Sequence, residues 1–126
     1  MYACVVDDIP PAVRWSAAIA AARRDGAVVA LESSVLAQGL PIPSNREADR
    51  RMRAAVAAHG ATPAVVAVVR GEPTIGLDGD DLERFLRRDG VPKVSARDLG
   101  WAVARGLDGA TTVAATLALC TAAGLE

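Results

Sequence analysis

Aromatic side chains are scarce in this sequence: one Tyr, one Phe and two Trp account for 3% of its 126 residues. The apolar fraction of 52% is therefore carried by Ala, Val and Leu, which suits helices with small faces packed on Val-rich strands. A basic surplus is also missing. The formal charge is −1, which argues against a nucleic-acid backbone as partner. Cysteines are few, and Cys4 and Cys120 lie at opposite ends without metal-ligand spacing. They read as reduced thiols of a cytosolic protein, not as a disulfide framework. The N-terminus lacks the basic region of a secretory signal and soon turns acidic at Asp7 and Asp8. Ala-rich runs such as 17–22 are broken by charge well before the roughly 20 residues of a membrane span. The cytoplasm is the expected compartment. Internal repeats, coiled-coil heptads and low-complexity tracts are absent, and the length is that of one domain.

What remains is an alternation of helices and short apolar strands. Pro10 and Pro11 open an expected helix whose apolar stripe runs through Val13, Ala17, Ile19, Ala20 and Ala21 and closes at Asp25-Gly26. The run 27–31 reads as a buried strand, and 38–45, with two prolines and a glycine, reads as a loop. Asn45 is the expected N-cap of a helix from Arg46 to Ala58, stopped by Gly60. Residues 64–69 and 74–76 read as strands, 78–88 as a helix, 93–95 as an extended piece, and 97–105 and 111–123 as helices. The alternation predicts an α/β architecture with a largely parallel sheet, with a further strand expected after the last helix.

Several residues are candidates for chemistry, each with an ordinary alternative. Glu32 ends a buried strand, at the edge where open α/β sheets place their ligands, and partial desolvation there suits a proton donor. The alternative is a turn carboxylate, exposed or paired with an arginine. Lys93 is the only lysine. It can bind a phosphate as a point charge, act as an amine nucleophile, or sit solvated on the surface. Thr111 and Thr112 precede the last helix, where free amides form an anion site or a hydroxyl merely caps the helix. His59 reads as a helix-end residue facing the dipole. The acidic group Asp78, Asp80, Asp81 and Glu83 lacks a calcium-loop pattern and reads as helix-start charge.

In order along the chain stand Val29-Ala30-Leu31-Glu32-Ser33-Ser34, Gly39-Leu40-Pro41, Pro43-Ser44-Asn45, Gly60-Ala61-Thr62-Pro63-Ala64, Ile75-Gly76-Leu77, Lys93-Val94-Ser95-Ala96-Arg97-Asp98-Leu99 and Gly109-Ala110-Thr111-Thr112-Val113-Ala114-Ala115-Thr116. Together these motifs resemble the N-terminal part of the pseudouridine-5'-phosphate glycosidases, also called indigoidine-synthase-A-like proteins. The resemblance covers nearly all of the chain after about Pro10. It implies a three-layer α/β/α fold, a homotrimer and a divalent metal, usually Mn2+. It also implies reversible splitting of the carbon–carbon glycosidic bond of pseudouridine 5'-phosphate into uracil and ribose 5-phosphate.

Carried over residue by residue, the resemblance makes Glu32 the general acid and Lys93 a substrate contact. Thr112 and Val113 become lining residues of the substrate site. The family's Schiff-base lysine, its metal-binding aspartate, a glycine-rich segment and a late asparagine have no counterparts in this chain. No metal ligand is therefore assigned, and the chain alone is expected to be inactive. Gln38 stands where many members have histidine, and Arg70 where a small or acidic residue is common. A non-catalytic domain that binds a sugar phosphate or a partner subunit is the alternative function. A third reading is a product without function, whose exposed strand edge would drive aggregation.

Overall fold

The structure is a computed structural model that describes residues 12–125. Its elements are β1 (Arg14–Trp15), α1 (Ala17–Asp25), β2 (Val28–Leu31), α2 (Ser44–Ala58), β3 (Thr62–Val69), β4 (Glu72–Ile75), α3 (Gly79–Arg87), β5 (Lys93–Val94), α4 (Leu99–Ala104), β6 (Gly109–Thr111) and α5 (Val113–Ala122). Pro10, Pro11 and Cys4 lie outside the described residues, so the first helix is read from its observed start. That start is Ser16, whose hydroxyl accepts from the Ile19 amide. Arg14 and Trp15 are strand, against the expectation of helix, because they pair in parallel with Thr74 and Ile75.

The strands form one sheet in the order β1-β4-β3-β6-β5, with β2 joined to β3. The sheet is mixed. β1–β4, β2–β3 and β5–β6 pair in parallel, as the alternation suggested, but β3–β4 and β3–β6 are antiparallel. The physical reason for the first antiparallel ladder is a two-residue hairpin. Arg70 and Gly71 both take positive φ, 48° and 82°, the mirror-image turn that matches strand twist. A side chain at position 71 would also strike the Gly106 backbone, 2.8 Å from the site of its Cβ.

Alternate residues of β3 feed two cores, which makes three layers. Val65, Ala67 and Val69 pack with Leu36, Leu77, Phe85 and Leu86 beneath α2 and α3. Ala64 and Val66 pack on the opposite side with Ile19, Leu119 and Cys120 of α1 and α5. Val68 joins Val94 and Ala102 of α4. Small side chains on the sheet are what bring the helices close, in keeping with the Ala- and Val-rich composition. Burial pushes the Cys120 thiol pKa up, as for an inert core thiol.

The expected loop 38–45 is partly helical: Val35–Gly39 form a π-helical turn. Asn45 is also not the cap of α2. It lies fully buried in the first turn, and its amide donates to the carbonyls of Leu36 (3.0 Å) and Leu86 (2.8 Å). The residue thus ties the π turn to the end of α3, and the bond from Arg46 N–H to its Oδ1 completes the side chain. Tertiary carbonyls outcompeted the local capping role. The remaining departure is β6, a strand that sequence periodicity did not reveal.

Replacing Asn45 by Ala leaves two buried carbonyls without partners. It is expected to cost about 2–6 kcal/mol, at about 1–3 kcal/mol for each unsatisfied group, read as a lowered urea midpoint.

Candidate active site

The fold brings the ends of β2, β5 and β6 together. Ser33 N–H donates to the Thr111 carbonyl, and Thr112 N–H donates to the Val94 carbonyl. Around this junction lies a fully buried hydroxyl network. The Ser33 hydroxyl accepts from the Thr111 amide at 2.8 Å, and the Thr111 hydroxyl donates to the Val66 carbonyl at 2.7 Å. With that proton committed, the hydroxyls of Ser33 (3.3 Å) and Thr116 (3.0 Å) must donate to Thr111 Oγ1. Both Thr111 lone pairs are then used. Glu32 and Thr112 each stand one residue from this network and take their position from it.

Glu32 is half-buried, and the Ser34 hydroxyl donates to its Oε2 at 2.8 Å. No arginine pairs with it among the described residues. The exposed Lys93 shares a cleft of about 280 Å³ with Glu32, Ser34, Val35, Gln38 and Gly39. Gln38 donates from Nε2 to the Val91 carbonyl at 2.7 Å, which latches the π turn to the approach of β5. Val113 lies on a second cavity of about 350 Å³, also bordered by Glu32. The carboxylate therefore stands on the rim between the two.

The threonine pair divides its roles. Thr111 is a strand residue inside the core, so its hydroxyl is not part of a free helix end. Thr112 caps α5 by accepting from the Ala115 amide at 3.3 Å. Its own hydroxyl proton remains available for an outside acceptor. Gly109 keeps β6 tight against β5, since a Cβ there would meet Val94 Cγ2 at 2.6 Å. The Lys-Val-Ser motif is anchored just beyond Lys93. Asp98 accepts from the Ser95 amide (3.1 Å) and hydroxyl (2.6 Å), a capping box.

His59 behaves as read, with Nδ1 2.8 Å from the Ala55 carbonyl at the end of α2. Asp80 and Asp81 occupy the first turn of α3, where Asp81 pairs with Arg84. Among the described residues no group of three His, Cys, Asp or Glu side chains converges as a metal site. No helix among them is long and apolar enough to cross a membrane.

A family model described as indigoidine synthase A like protein matches residues 17–126. The chain belongs to that family. A pseudouridine-5'-phosphate glycosidase of Gemmatimonas aurantiaca is 70% identical over 106 residues, 84% of this chain and 35% of the relative. One of Herpetosiphon aurantiacus is 50% identical over 99 residues, 79% of this chain and 33% of the relative. The chain thus spans about a third of the length of the curated relatives it matches. Among solved structures, the prealnumycin C-glycosynthase in complex with ribulose 5-phosphate aligns with TM-score 0.77 and 38% identity. That alignment covers 90% of this chain and 37% of the other. The indigoidine synthase A-like protein of Thermotoga maritima aligns with TM-score 0.74 and 34% identity, over 80% of this chain and 34% of that protein.

Family membership directs attention to residues that sequence reading quoted without a role. Ser33, Ser34 and Thr116 all fall inside the motifs, yet their work is visible only as hydrogen bonds in the structure, and Thr111, expected at a helix-end anion site or cap, works instead inside the core.

Two outcomes follow from these bonds. Thr111→Val keeps the volume but strands the Val66 carbonyl and two hydroxyls, so a loss of about 3 kcal/mol or more in chemical denaturation is expected, whereas Thr111→Ser should retain most of the stability. The Ser95 hydroxyl and amide hold the Asp98 carboxyl below its ordinary range. A depressed carboxylate contributes stability that is present above its unfolded pKa and lost as pH falls through the folded one. Acidification below about pH 4 should therefore weaken the wild type more than Asp98→Asn, measured as denaturation midpoint against pH.

Proposed function

We propose that this chain supplies the proton donor and a sugar-phosphate anchor for reversible cleavage of pseudouridine 5'-phosphate to uracil and ribose 5-phosphate. The observation that carries the reading is the shared cleft of Glu32 and Lys93, which come from motifs far apart in the chain. The names of the curated relatives support the substrate class.

The reaction is demanding because the leaving atom is carbon, and it must gain a proton as the bond breaks. Glu32 is suited to give it. Ser34 donates to Oε2, so a carboxyl proton sits on Oε1, directed away from that bond. In the synthetic direction the carboxylate takes the same proton back from the uracil carbon. Lys93 offers a solvated cation for phosphate or sugar oxygens. Thr112 can donate its hydroxyl proton to a substrate oxygen, and Val113 offers an apolar wall beside the base.

Lys93 is the chain's only lysine, so a role as anchor leaves no second amine for a Schiff base. Turnover then requires residues from the part of the relatives that this chain does not span. The described residues do not fit the Mn2+ of the proposed enzyme, because no ligand cluster converges among them, and no step is routed through it. Homotrimeric assembly and a cytoplasmic location belong to the same proposal.

A chimera tests it, with this chain replacing the matching third of the Gemmatimonas aurantiaca glycosidase. The chimera should cleave pseudouridine 5'-phosphate. Glu32→Gln should lower kcat by about 10²–10⁴-fold with little change in KM, while Lys93→Ala should act mainly on KM. Full activity in the Glu32→Gln chimera would sink the assignment. An inactive chimera, with ribose 5-phosphate still bound by the chain, would favour a non-catalytic binding domain.

A further inference from the structure

Aspartate followed by glycine occurs four times in the sequence: Asp25-Gly26, Asp78-Gly79, Asp89-Gly90 and Asp108-Gly109. This pairing has a chemistry of its own. The glycine amide nitrogen can attack the aspartate side-chain carboxyl, because no Cβ on the glycine crowds the closing ring. Closure forms an N–C bond, expels the carboxyl hydroxyl and the amide proton as water, and leaves a cyclic succinimide. Water then opens the ring at either carbonyl. Attack at the side-chain carbonyl restores aspartate, whereas attack at the backbone carbonyl leaves isoaspartate, with the main chain routed through Cβ. The peptide unit between the two residues must rotate toward the carboxyl for the ring to close.

The fold pins that peptide at three of the four steps. Gly26 N–H donates to the Ala22 carbonyl at 3.0 Å, which closes the last turn of α1. The Asp78 carbonyl accepts from Leu82 N–H at 3.0 Å, at the start of α3. Asp108 is held by Arg84 and by the Arg70 amide, and Gly109 is buried in β6, paired with β3. Asp89-Gly90 differs. Both residues are exposed in the turn between α3 and β5, and neither the Asp89 carbonyl nor the Gly90 amide has a backbone partner among the described residues. The Asp89 carboxylate meets Arg87 at 2.9 Å, but both side chains are more than half exposed, so solvent weakens the pair.

The place of this turn gives the modification a consequence. Two residues on, the Val91 carbonyl accepts from Gln38 Nε2. The next carbonyl, of Pro92, accepts from Ala110 N–H at 2.9 Å, and Lys93 follows directly. Isoaspartate at position 89 adds one methylene to the main chain immediately ahead of these bonds.

We propose that Asp89-Gly90 is a spontaneous modification site, where the fold permits isoaspartate formation that it blocks at the other three steps, and that the product loosens the cleft at Gln38 and Lys93. The product keeps the mass and charge of the original chain. Its chemical class is that of a substrate for a carboxyl methyltransferase that uses S-adenosylmethionine. The modification is independent of the chemistry proposed for Glu32.

The test incubates the full chain at neutral pH, in buffer and in parallel in urea, and maps isoaspartate at each step by methyltransferase labelling of its peptides. In urea all four steps should accumulate isoaspartate. In buffer Asp89 should outpace each of the others by at least about tenfold, because only its peptide opens without breaking a native bond. Asp89→Glu, which keeps the charge but closes a larger ring far more slowly, should remove the signal, and Arg87→Ala should raise it. In the modified chain the Ala110 amide should exchange severalfold faster, while incubated Asp89→Glu stays unchanged. An even spread over the four steps in buffer, or a lead at any other step, would overturn the proposal. Isoaspartate at position 89 with unaltered exchange at Ala110 would overturn its link to the cleft.

Discussion

The Thr111 hydroxyl is the point on which the site depends. It spends its proton on the Val66 carbonyl in the central strand and accepts from Ser33 and Thr116, all within the core. These bonds fasten the end of β2, the middle of β3, the strand β6 and the first turns of α5 to one another. A buried hydroxyl with every lone pair used is costly to disturb, because water cannot replace a lost partner. The consequence is functional: Glu32 leaves the network in one direction and Thr112 in the other, so both are held by the core while facing solvent.

Around this hub, the molecule uses polar side chains to position loops that apolar packing alone would leave loose. Asn45 holds the π turn against α3, Gln38 holds the same turn against the approach to β5, and the Ser95–Asp98 pair holds the segment after Lys93. The cleft between Glu32 and Lys93 is thus framed by three side-chain ties reaching from separate motifs. Gln38 replaces the histidine that the resemblance associates with this position, and here it serves as a tether to a backbone carbonyl. By contrast, the exposed Glu47–Arg50 and Glu47–Arg51 pairs on α2 add little, since solvent screens such contacts.

A sheet of small Ala and Val side chains buries well only when both faces are covered. α2 and α3 pack on one face, whereas the opposite layer ends in α5, where Val113 and Leu117 are exposed. The site lies at this boundary, with Glu32 on the rim of the cavity that they border.

Local sequence decided the elements with strong local signals. Acidic and basic ends mark α3, the Gly60 stop marks the end of α2, and the continuous apolar runs mark β2 and β3. The ordered motifs also determined the family and singled out Glu32 and Lys93. Other features were illegible for a physical reason. β6 has three residues and β1 and β5 have two each, too few for a period to appear. Asn45 looked like a cap because its preference for capping is local, while the carbonyls that captured it come from Leu36 and Leu86. The mixed direction of the sheet arose from the Arg70-Gly71 hairpin, which a reading of strand–helix alternation passes over. Glu32 and Lys93 share a cleft only because Ser33 and Thr111, 78 positions apart, are bonded in the core. Sequence named the candidate groups; tertiary structure alone decided which of them meet, because their contacts are made by buried hydrogen bonds between distant residues.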